Sequence, residues 1–131
     1  MKEKNYTFDK ITFPQITASA QSQNITAGTN TDVINEEVIG IAVSLSDEDA
    51  IPNSRIELKI DSKEILPVGF EAKLLTSGIN VDPNKRYYMF NKPIMINQSK
   101  IEGKFTDGEN FTAAYYVFIT LLSIPKTDRT Q

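Results

Sequence analysis

Short runs of β-branched and aromatic residues, each ended by turn residues, constrain the fold of this chain more than any other feature. Between residues 36 and 125 these runs recur about every 8–12 residues, a spacing typical of antiparallel β-proteins. In the run EEVIGIAVSLS, every second residue is large and apolar: Ile39, Ile41, Val43 and Leu45. Because alternate side chains of a strand point to opposite faces, we expect this set to face a core.

The pattern contains no convincing amphipathic helix. The best candidate, residues 33–43, is rich in Val and Ile and contains Gly40, which disfavours a helix. We therefore predict an all-β chain, an antiparallel β-sandwich or jelly-roll-like domain of about seven or eight strands. The predicted strands are an edge strand at residues 5–13, a strand at 36–46, and a hairpin at 54–66 that turns at Asp61 and Ser62. They continue with strands at 70–77, at 86–96 (broken or bulged at Lys92 and Pro93), at 100–105 and at 113–124.

Residues 15–35, QITASAQSQNITAGTNTDVIN, differ in kind from the rest of the chain. Gln, Ser, Thr, Asn and Ala dominate this segment, and its large apolar side chains are Ile16, Ile25, Val33 and Ile34. Such a segment buries too little apolar surface to offset its ordering entropy alone. We predict an extended N-terminal arm that orders against a neighbouring subunit. The alternatives are a flexible tail and a weak strand within the domain.

The predicted organisation follows from this contrast. Residues 1–35 form an N-terminal strand and an extended polar arm, residues 36–125 form the β-sandwich domain, and residues 126–131 form a C-terminal tail. A chain of 131 residues fits one domain of ordinary size.

The composition excludes the common enzyme templates. The chain has no Cys and no His, so it lacks a thiol nucleophile, a thiolate metal site and the commonest general base. The six glycines form no phosphate-binding motif. A net charge of −3 gives no basic footprint for nucleic acid or for a membrane surface. We predict a non-enzymatic protein with no cofactor, no metal and no direct contact with nucleic acid.

Two acidic stretches are candidates for calcium binding, residues 47–49 and residues 107–110. Neither has the spaced oxygen ligands of an EF-hand loop, so we predict no metal site there. Asp107 and Gly108 supply the positive φ angles that a tight turn needs. We therefore predict that residues 107–110 form the tip of a hairpin between the last two strands.

Aromatic residues cluster in two of the predicted strands. Tyr87, Tyr88 and Phe90 lie in one strand, and Tyr115, Tyr116 and Phe118 lie in the other. Alternation places Tyr116 and Phe118 on one face of the last strand and Tyr115 on the opposite face. We expect Tyr87 and Tyr115 to point outward, where they cover the sheet, stack on a sugar or pack on a subunit.

The last strand is apolar on both faces. Residues 114–122, AYYVFITLL, contain Thr120 as the one small polar residue. A sheet with one wet face should alternate between apolar and polar residues. We predict that this strand is covered twice, by its own core and by either the 15–35 segment or another subunit. The predicted subunit-interface residues are Ile16, Ile25, Val33, Ile34, Tyr87, Tyr115 and Val117.

No targeting segment is evident. The first residues, MKEKNYTFDKITF, are charged and no apolar h-region follows, so they do not resemble a signal peptide. No window approaches the roughly 18 apolar residues of a transmembrane helix. We expect a soluble protein that is made in the cytoplasm and does not contact a membrane.

The runs SRIELKIDSKEILPVGFEAKLL, VDPNKRYYMF and SKIEGKFTDGENFTAAYYVFITLL resemble small β-sandwich virion proteins of tailed bacteriophages. The Asn-, Ile-, Lys- and Thr-rich composition without Cys is similar to that of phages of AT-rich hosts, including the crAss-like phages of Bacteroidetes. The resemblance covers residues 36–124. It implies a structural role in the head, the head–tail connector or the tail, with polar terminal arms that reach across neighbours. It carries no site residues onto this chain.

We therefore expect a phage virion structural protein that acts through subunit assembly, such as a head auxiliary or minor capsid protein, a connector or a tail component. Its partners would be copies of itself, as a homo-oligomer, and other virion proteins. It would be assembled in the host cytoplasm and located in the virion. One alternative is a carbohydrate- or host-surface-binding module that uses exposed Tyr87, Tyr88 or Tyr115. Another alternative is a bacterial assembly subunit such as a pilus or secretion component. The lack of an export signal argues against an exported pilin, but not against a cytosolic sheath or tube subunit.

Overall fold

A computed structural model describes residues 6–75 and 87–126 of the chain. Its described residues form eight strands in two four-stranded antiparallel sheets, and two short 3-10 turns. The strands are β1 (Thr7–Thr12), β2 (Ser22–Asn24), β3 (Asn35–Leu45), β4 (Arg55–Ile60), β5 (Lys63–Glu71), β6 (Tyr88–Met95), β7 (Ile101–Thr106) and β8 (Val117–Pro125), and the 3-10 turns are Glu48–Ala50 and Ala72–Leu75. The predicted antiparallel β-sandwich is confirmed.

The strand order is that of a jelly roll. One sheet has the order β1-β8-β3-β6 and the other β2-β7-β4-β5. The pairs β1·β8, β2·β7, β3·β6 and β4·β5 are those of one long antiparallel ribbon, folded so that its halves stack as two sheets. The folding adds the pairs β3·β8 and β4·β7, which place β8 and β3 in the centre of the first sheet.

The core lies between the two sheets. β8 contributes alternate residues, Val117, Ile119 and Leu121, each with 0 % exposure. At one end of the core, the ring centroids of Phe13 and Tyr115 lie 6.2 and 6.3 Å from that of Phe105. These three rings are the largest fully buried side chains, so burying them contributes strongly to the stability of the sandwich.

A β-bulge changes which side of β3 faces the core. The register of β3 with both of its neighbours shifts between Val38 and Gly40. The extra residue moves Ile39 out of the fully buried set, and Val38 takes the inner position with 0 % exposure. Ile41, Val43 and Leu45 face the core as predicted, whereas the prediction for Ile39 is wrong.

Residues 15–35 pack against their own domain, and the predicted arm is corrected accordingly. Ile16 exchanges backbone hydrogen bonds with Tyr115 at 2.9 and 3.1 Å, and β2 pairs with β7. Farther along, Thr31 N donates to Ser99 O at 2.9 Å. These backbone hydrogen bonds, together with the burial of Ile16 and Ile25 in the core, order this polar segment on its own domain. The alternative of a weak strand within the domain is the one observed.

The predicted hairpin at residues 107–110 is also wrong. β7 and β8 belong to different sheets, and the chain between them crosses from one sheet to the other. Gly108 lies under residues 52–54, where a Cβ would come within 2.4 Å of the carbonyl oxygen of Pro52. Gly108 is therefore required for a close backbone contact and not for a tight turn.

Strands β4, β5 and β6 match the predictions in part. The hairpin at 54–66 is confirmed as β4 and β5, and its turn residues Asp61 and Ser62 both have positive φ, 52° and 67°. The bulge at Lys92–Pro93 is confirmed. Between the pairs Val38–Ile94 and Gly40–Met89, residues 90–93 of β6 lie opposite the single residue Ile39 of β3. The predicted strand at 70–77 is wrong where it is described, since β5 ends at Glu71 and a 3-10 turn follows.

Some predicted segments lie outside the described residues. These are the start of the first predicted strand, the end of the strand predicted at 70–77, the first residue of the strand predicted at 86–96, and residues 127–131 of the C-terminal tail.

Candidate interaction surface

The outer surface of sheet β1-β8-β3-β6 is apolar. We call it the apolar face and define it by Phe8, Tyr87, Met89, Tyr116, Phe118 and Leu122. Phe8 pairs with Leu122 across β1 and β8, and Leu122 pairs with Gly40 across β8 and β3. Phe8 is 57 % exposed and Met89 is 51 % exposed. β8 is thus the strand whose two faces are both apolar, and its outer side has no second layer within the described residues.

Aromatic rings cover much of this face. The rings of Phe8 and Tyr87 stack with centroids 5.9 Å apart, and those of Tyr116 and Phe118 stack at 6.3 Å. The ammonium group of Lys10 lies 4.7 Å from the centroid of Phe118, a cation–π contact. Burial raises the pKa of Tyr87 above its ordinary value. The face is therefore partly desolvated by its own side chains.

Small residues of β3 make the middle of the face shallow. A Cβ on Gly40 would lie 2.9 Å from the Met89 sulfur, so Met89 packs directly over the β3 backbone. Ala42 is the next outward residue of β3, opposite Thr120 of β8. A nearly flat, apolar surface of this kind suits contact with another flat surface better than it suits a small ligand.

The outer surface of the other sheet, β2-β7-β4-β5, is charged. We call it the charged face and define it by Arg55, Glu57, Lys59, Glu71, Glu102 and Lys104. Glu57 pairs with Lys104 and Lys59 pairs with Glu102 in the β4·β7 register. Arg55 and Glu71 form a salt bridge of 3.1 Å. Opposite charges therefore alternate across this face.

A groove of about 400 Å³ lies on the charged side, beside the turn at Ala27 and Gly28. Its lining includes Lys59, Lys100 and Lys104 together with Glu57 and Glu102. These charges largely offset one another, and no aromatic ring lies in the lining. The groove offers neither an anion site nor a stacking platform for a sugar.

Asp107 and Tyr115 form a buried polar contact at the end of the core. The Asp107 carboxylate accepts a hydrogen bond from the Tyr115 hydroxyl, and it accepts the backbone amides of Ala20 and Glu109, each at 2.9 Å. Burial, and next the hydrogen bond to Asp107, raise the pKa of Tyr115 well above its ordinary value. The carboxylate joins the N-terminal segment to the β7–β8 connection, so its role is structural.

The predicted interface residues divide into two groups. Ile16, Ile25, Tyr115 and Val117 are buried in the core of their own domain, with exposures of 0, 7, 1 and 0 %. The prediction that they lie on a subunit interface is corrected, since the segment that carries Ile16 and Ile25 pairs with its own sandwich and Tyr115 and Val117 point inward. Val33 and Ile34 remain about half exposed, and Tyr87 lies on the apolar face.

The alternation predicted along the last strand is confirmed, but the predicted outward side of Tyr115 is wrong. Tyr116 and Phe118 share one face and Tyr115 the other, as expected, yet Tyr115 points inward. The sequence carried one signal that could have decided the side. The set with Tyr116 and Phe118 also contains Thr120, whereas the opposite set from Val117 to Leu121 is wholly apolar.

Comparison with known proteins gives no family. Neither a protein-family model nor a curated protein sequence matches this chain. Within residues 6–75 and 87–126, no helix is long and apolar enough to cross a membrane. The same residues contain no group of three or more acidic side chains placed to hold a metal ion.

Proposed function

We propose that this chain is a non-enzymatic structural protein of a phage virion and that it acts by assembling with other subunits. The observation that carries the proposal is the apolar face. Its aromatic and aliphatic side chains lie on the outside of a regular four-stranded sheet, where a monomer would normally present polar residues. Contact with another subunit would remove these side chains from water.

The architecture is compatible with this role. Jelly rolls occur in viral capsid proteins, and also in lectins and cupins, so the fold narrows the function by analogy alone. The contrast between the two outer faces adds a physical reason. One face is suited to permanent burial and the other to solvent, as in a subunit that occupies one layer of an assembly.

A carbohydrate- or host-surface-binding module is the second candidate. Tyr116 is 43 % exposed and stacks against Phe118, which gives a ring surface on which a sugar could lie. Tyr115, one of the rings first considered for this role, is buried and cannot serve it. A glycan-array signal that Tyr116→Ala abolishes, with the fold retained, would support this candidate over assembly.

The test of the proposal is the presence of the chain in particles. Particles from cultures that carry this gene would be banded on a density gradient and analysed by mass spectrometry. We expect the chain in the particle band together with capsid or tail proteins. Complementation with Leu122→Lys should leave the chain in the unassembled fraction, whereas Glu57→Gln on the charged face should not. Absence of the wild-type chain from the particle band would overturn the proposal.

A further inference from the structure

We propose that the apolar face is the contact surface of a symmetric dimer, in which two copies of this chain pack face to face around a two-fold axis at Leu122. This inference rests on the proposed function, because both treat the apolar face as an assembly surface. It goes further by naming the partner, the symmetry and the residue pairs that meet.

The size of the face fits a stable contact. With strands about 4.8 Å apart and a rise of about 3.3 Å per residue, four strands with the length of β8 span about 19 Å by about 30 Å. The flat projection of such a sheet is about 570 Å², and protruding side chains raise its accessible area further. A specific interface buries about 800 Å² on each partner. One copy of the face is therefore close to what a dimer needs.

The charged face argues against a head-to-tail arrangement. If the apolar face packed on the charged face of the next copy, the contact would bury Glu57, Lys59, Glu102 and Lys104. Removing charged groups from water costs several kcal/mol for each ion unless they gain equivalent partners. The apolar face offers few such partners. Packing each apolar face on its equivalent avoids this cost and gives a closed, isologous contact.

The register of the sheet makes the apolar face complementary to itself. Lys10 is level with Thr120 of β8, and Glu37 is level with Ile124 of β8. Leu122 lies midway between these two levels, on the strand between β1 and β3. Glu37 projects outward because its neighbour Val38 is fully buried. Lys10 and Glu37 thus lie at equal distances on opposite sides of Leu122.

A two-fold axis that passes through Leu122, lies in the plane of the contact and runs perpendicular to the line from Lys10 to Glu37 exchanges those two positions. Lys10 of each copy then faces Glu37 of the other, which gives two equivalent ion pairs on either side of an apolar centre. Leu122 lies at that centre together with the stacked rings of Phe8 and Tyr87, which meet their symmetry mates there. Charges at the margin of an apolar contact fix its register and orientation more than its affinity.

The first test is the oligomeric state of the purified chain, measured by light scattering and sedimentation across concentration. We expect a dimer for the wild type and for Glu57→Gln. Leu122→Lys changes the net charge by the same single unit but on the apolar face, and should raise the dissociation constant at least about 100-fold. Circular dichroism would establish that each variant is folded. If Leu122→Lys does not fold, Phe8→Lys at the exposed edge replaces it, with an expected rise of about tenfold.

The second test exchanges the charges of Lys10 and Glu37. In the proposed two-fold arrangement, each single reversal weakens the dimer and the double reversal restores it. Lys10→Glu and Glu37→Lys should each weaken the dimer, by about tenfold, because like charges then face each other. The double variant Lys10→Glu/Glu37→Lys restores opposite charges across the axis and should recover wild-type affinity. A hetero-partner, or a different register, would not give this recovery in a solution of one purified chain.

Failure of the dimer and failure of the proposed function have different signatures. A wild-type chain that stays monomeric at all concentrations overturns the dimer, even if it is found in the particle band. A dimer that Leu122→Lys leaves intact, or that the double variant fails to restore, overturns the axis at Leu122. Absence from particles overturns the proposed function, whatever the oligomeric state in solution.

Discussion

The two outer faces of the sandwich are built from the same strand geometry but have opposite chemistry. On the inner side, both sheets present Ile, Leu, Val and aromatic residues, as folding requires. On the outer side, β8 presents Phe118 and Leu122, whereas β4 and β7 present Lys59, Glu102 and Lys104. Folding constrains the inner residues, whereas the outer residues are free to reflect solubility or binding. The difference between the outer faces is therefore the basis of the function proposed for this chain.

The largest expected effect comes from removing the buried carboxylate of Asp107, which holds Tyr115 and the N-terminal segment at the crossing between the two sheets. Asp107→Ala should lower the free energy of unfolding by about 3 kcal/mol, because the Tyr115 hydroxyl and two backbone amides lose their acceptor, the hydroxyl in a buried site. Urea unfolding followed by circular dichroism measures the loss. Asp47→Ala is the matched control, since the Asp47 carboxylate accepts one exposed backbone amide, that of Asp49. Equal losses in the two variants would contradict a structural role for Asp107.

A second prediction compares one glycine from each sheet. A Cβ on Gly103 would lie 2.6 Å from the Glu57 carbonyl oxygen, which is backbone, whereas one on Gly40 would meet the flexible Met89 side chain at 2.9 Å. Gly103→Ala should therefore cost about 2 kcal/mol, and Gly40→Ala less than about 1 kcal/mol. Thermal unfolding of both variants decides the order. The reverse order would mean that β6 is fixed more rigidly on β3 than its exposed Met89 implies.

The fold class could be predicted because its signals are local. Alternation identified the strands, and Asp61-Ser62 and Lys92-Pro93 identified a hairpin turn and a bulge from turn chemistry alone. Which strands share a sheet could not be predicted in this way. That choice depends on contacts between residues that are distant in the sequence. For residues 15–35 it depends on backbone hydrogen bonds that many polar sequences can make and on the two buried side chains Ile16 and Ile25.

The candidate site was harder to predict than the fold. The sequence correctly identified β8 as apolar on both sides. Because both alternating sets of its side chains are apolar, the pattern alone does not say which set faces the core. The bulge in β3 also moved Ile39 out of the buried set, and a one-residue irregularity leaves no clear signal in the apolar run VIGIAV. Phe8 and Met89 reach the apolar face through pairing across four strands, so their grouping becomes visible only in the folded chain.

The third prediction uses the pH dependence of stability to test whether Tyr115 is buried on the inner side of the sheet. The ordinary pKa of Tyr115 is 10.0, and burial with the Asp107 contact raises the folded-state pKa far above it. Above pH 10 the unfolded chain loses this proton and the folded chain keeps it. The free energy of unfolding should therefore fall with rising pH, by up to about 1.4 kcal/mol per pH unit from this group.

Tyr115→Phe should remove that contribution and leave the other titrations in place. Urea unfolding of both proteins between pH 9 and pH 12 measures the two slopes. We expect the slopes to agree below pH 10 and to diverge above it, with the wild type steeper. Parallel curves over the whole window would mean that Tyr115 ionises equally easily in both states, and that its burial does not isolate it from solvent.

The smallest expected effect comes from the charged face itself. Arg55 and Glu71 form its clearest ion pair, but their side chains are 40 and 37 % exposed, so water and salt screen the attraction. Arg55→Ala should lower the free energy of unfolding by less than about 1 kcal/mol, and most of that loss should vanish at high ionic strength. Denaturant titrations at low and high salt measure both quantities. A larger loss of unfolding free energy that persists at high salt would mean that the charges on this face form a stabilising network. The charged face would then matter for folding, contrary to the difference between the two faces argued above. A small, salt-sensitive loss would mean that these charges contribute to solubility more than to stability, as the contrast with the apolar face implies.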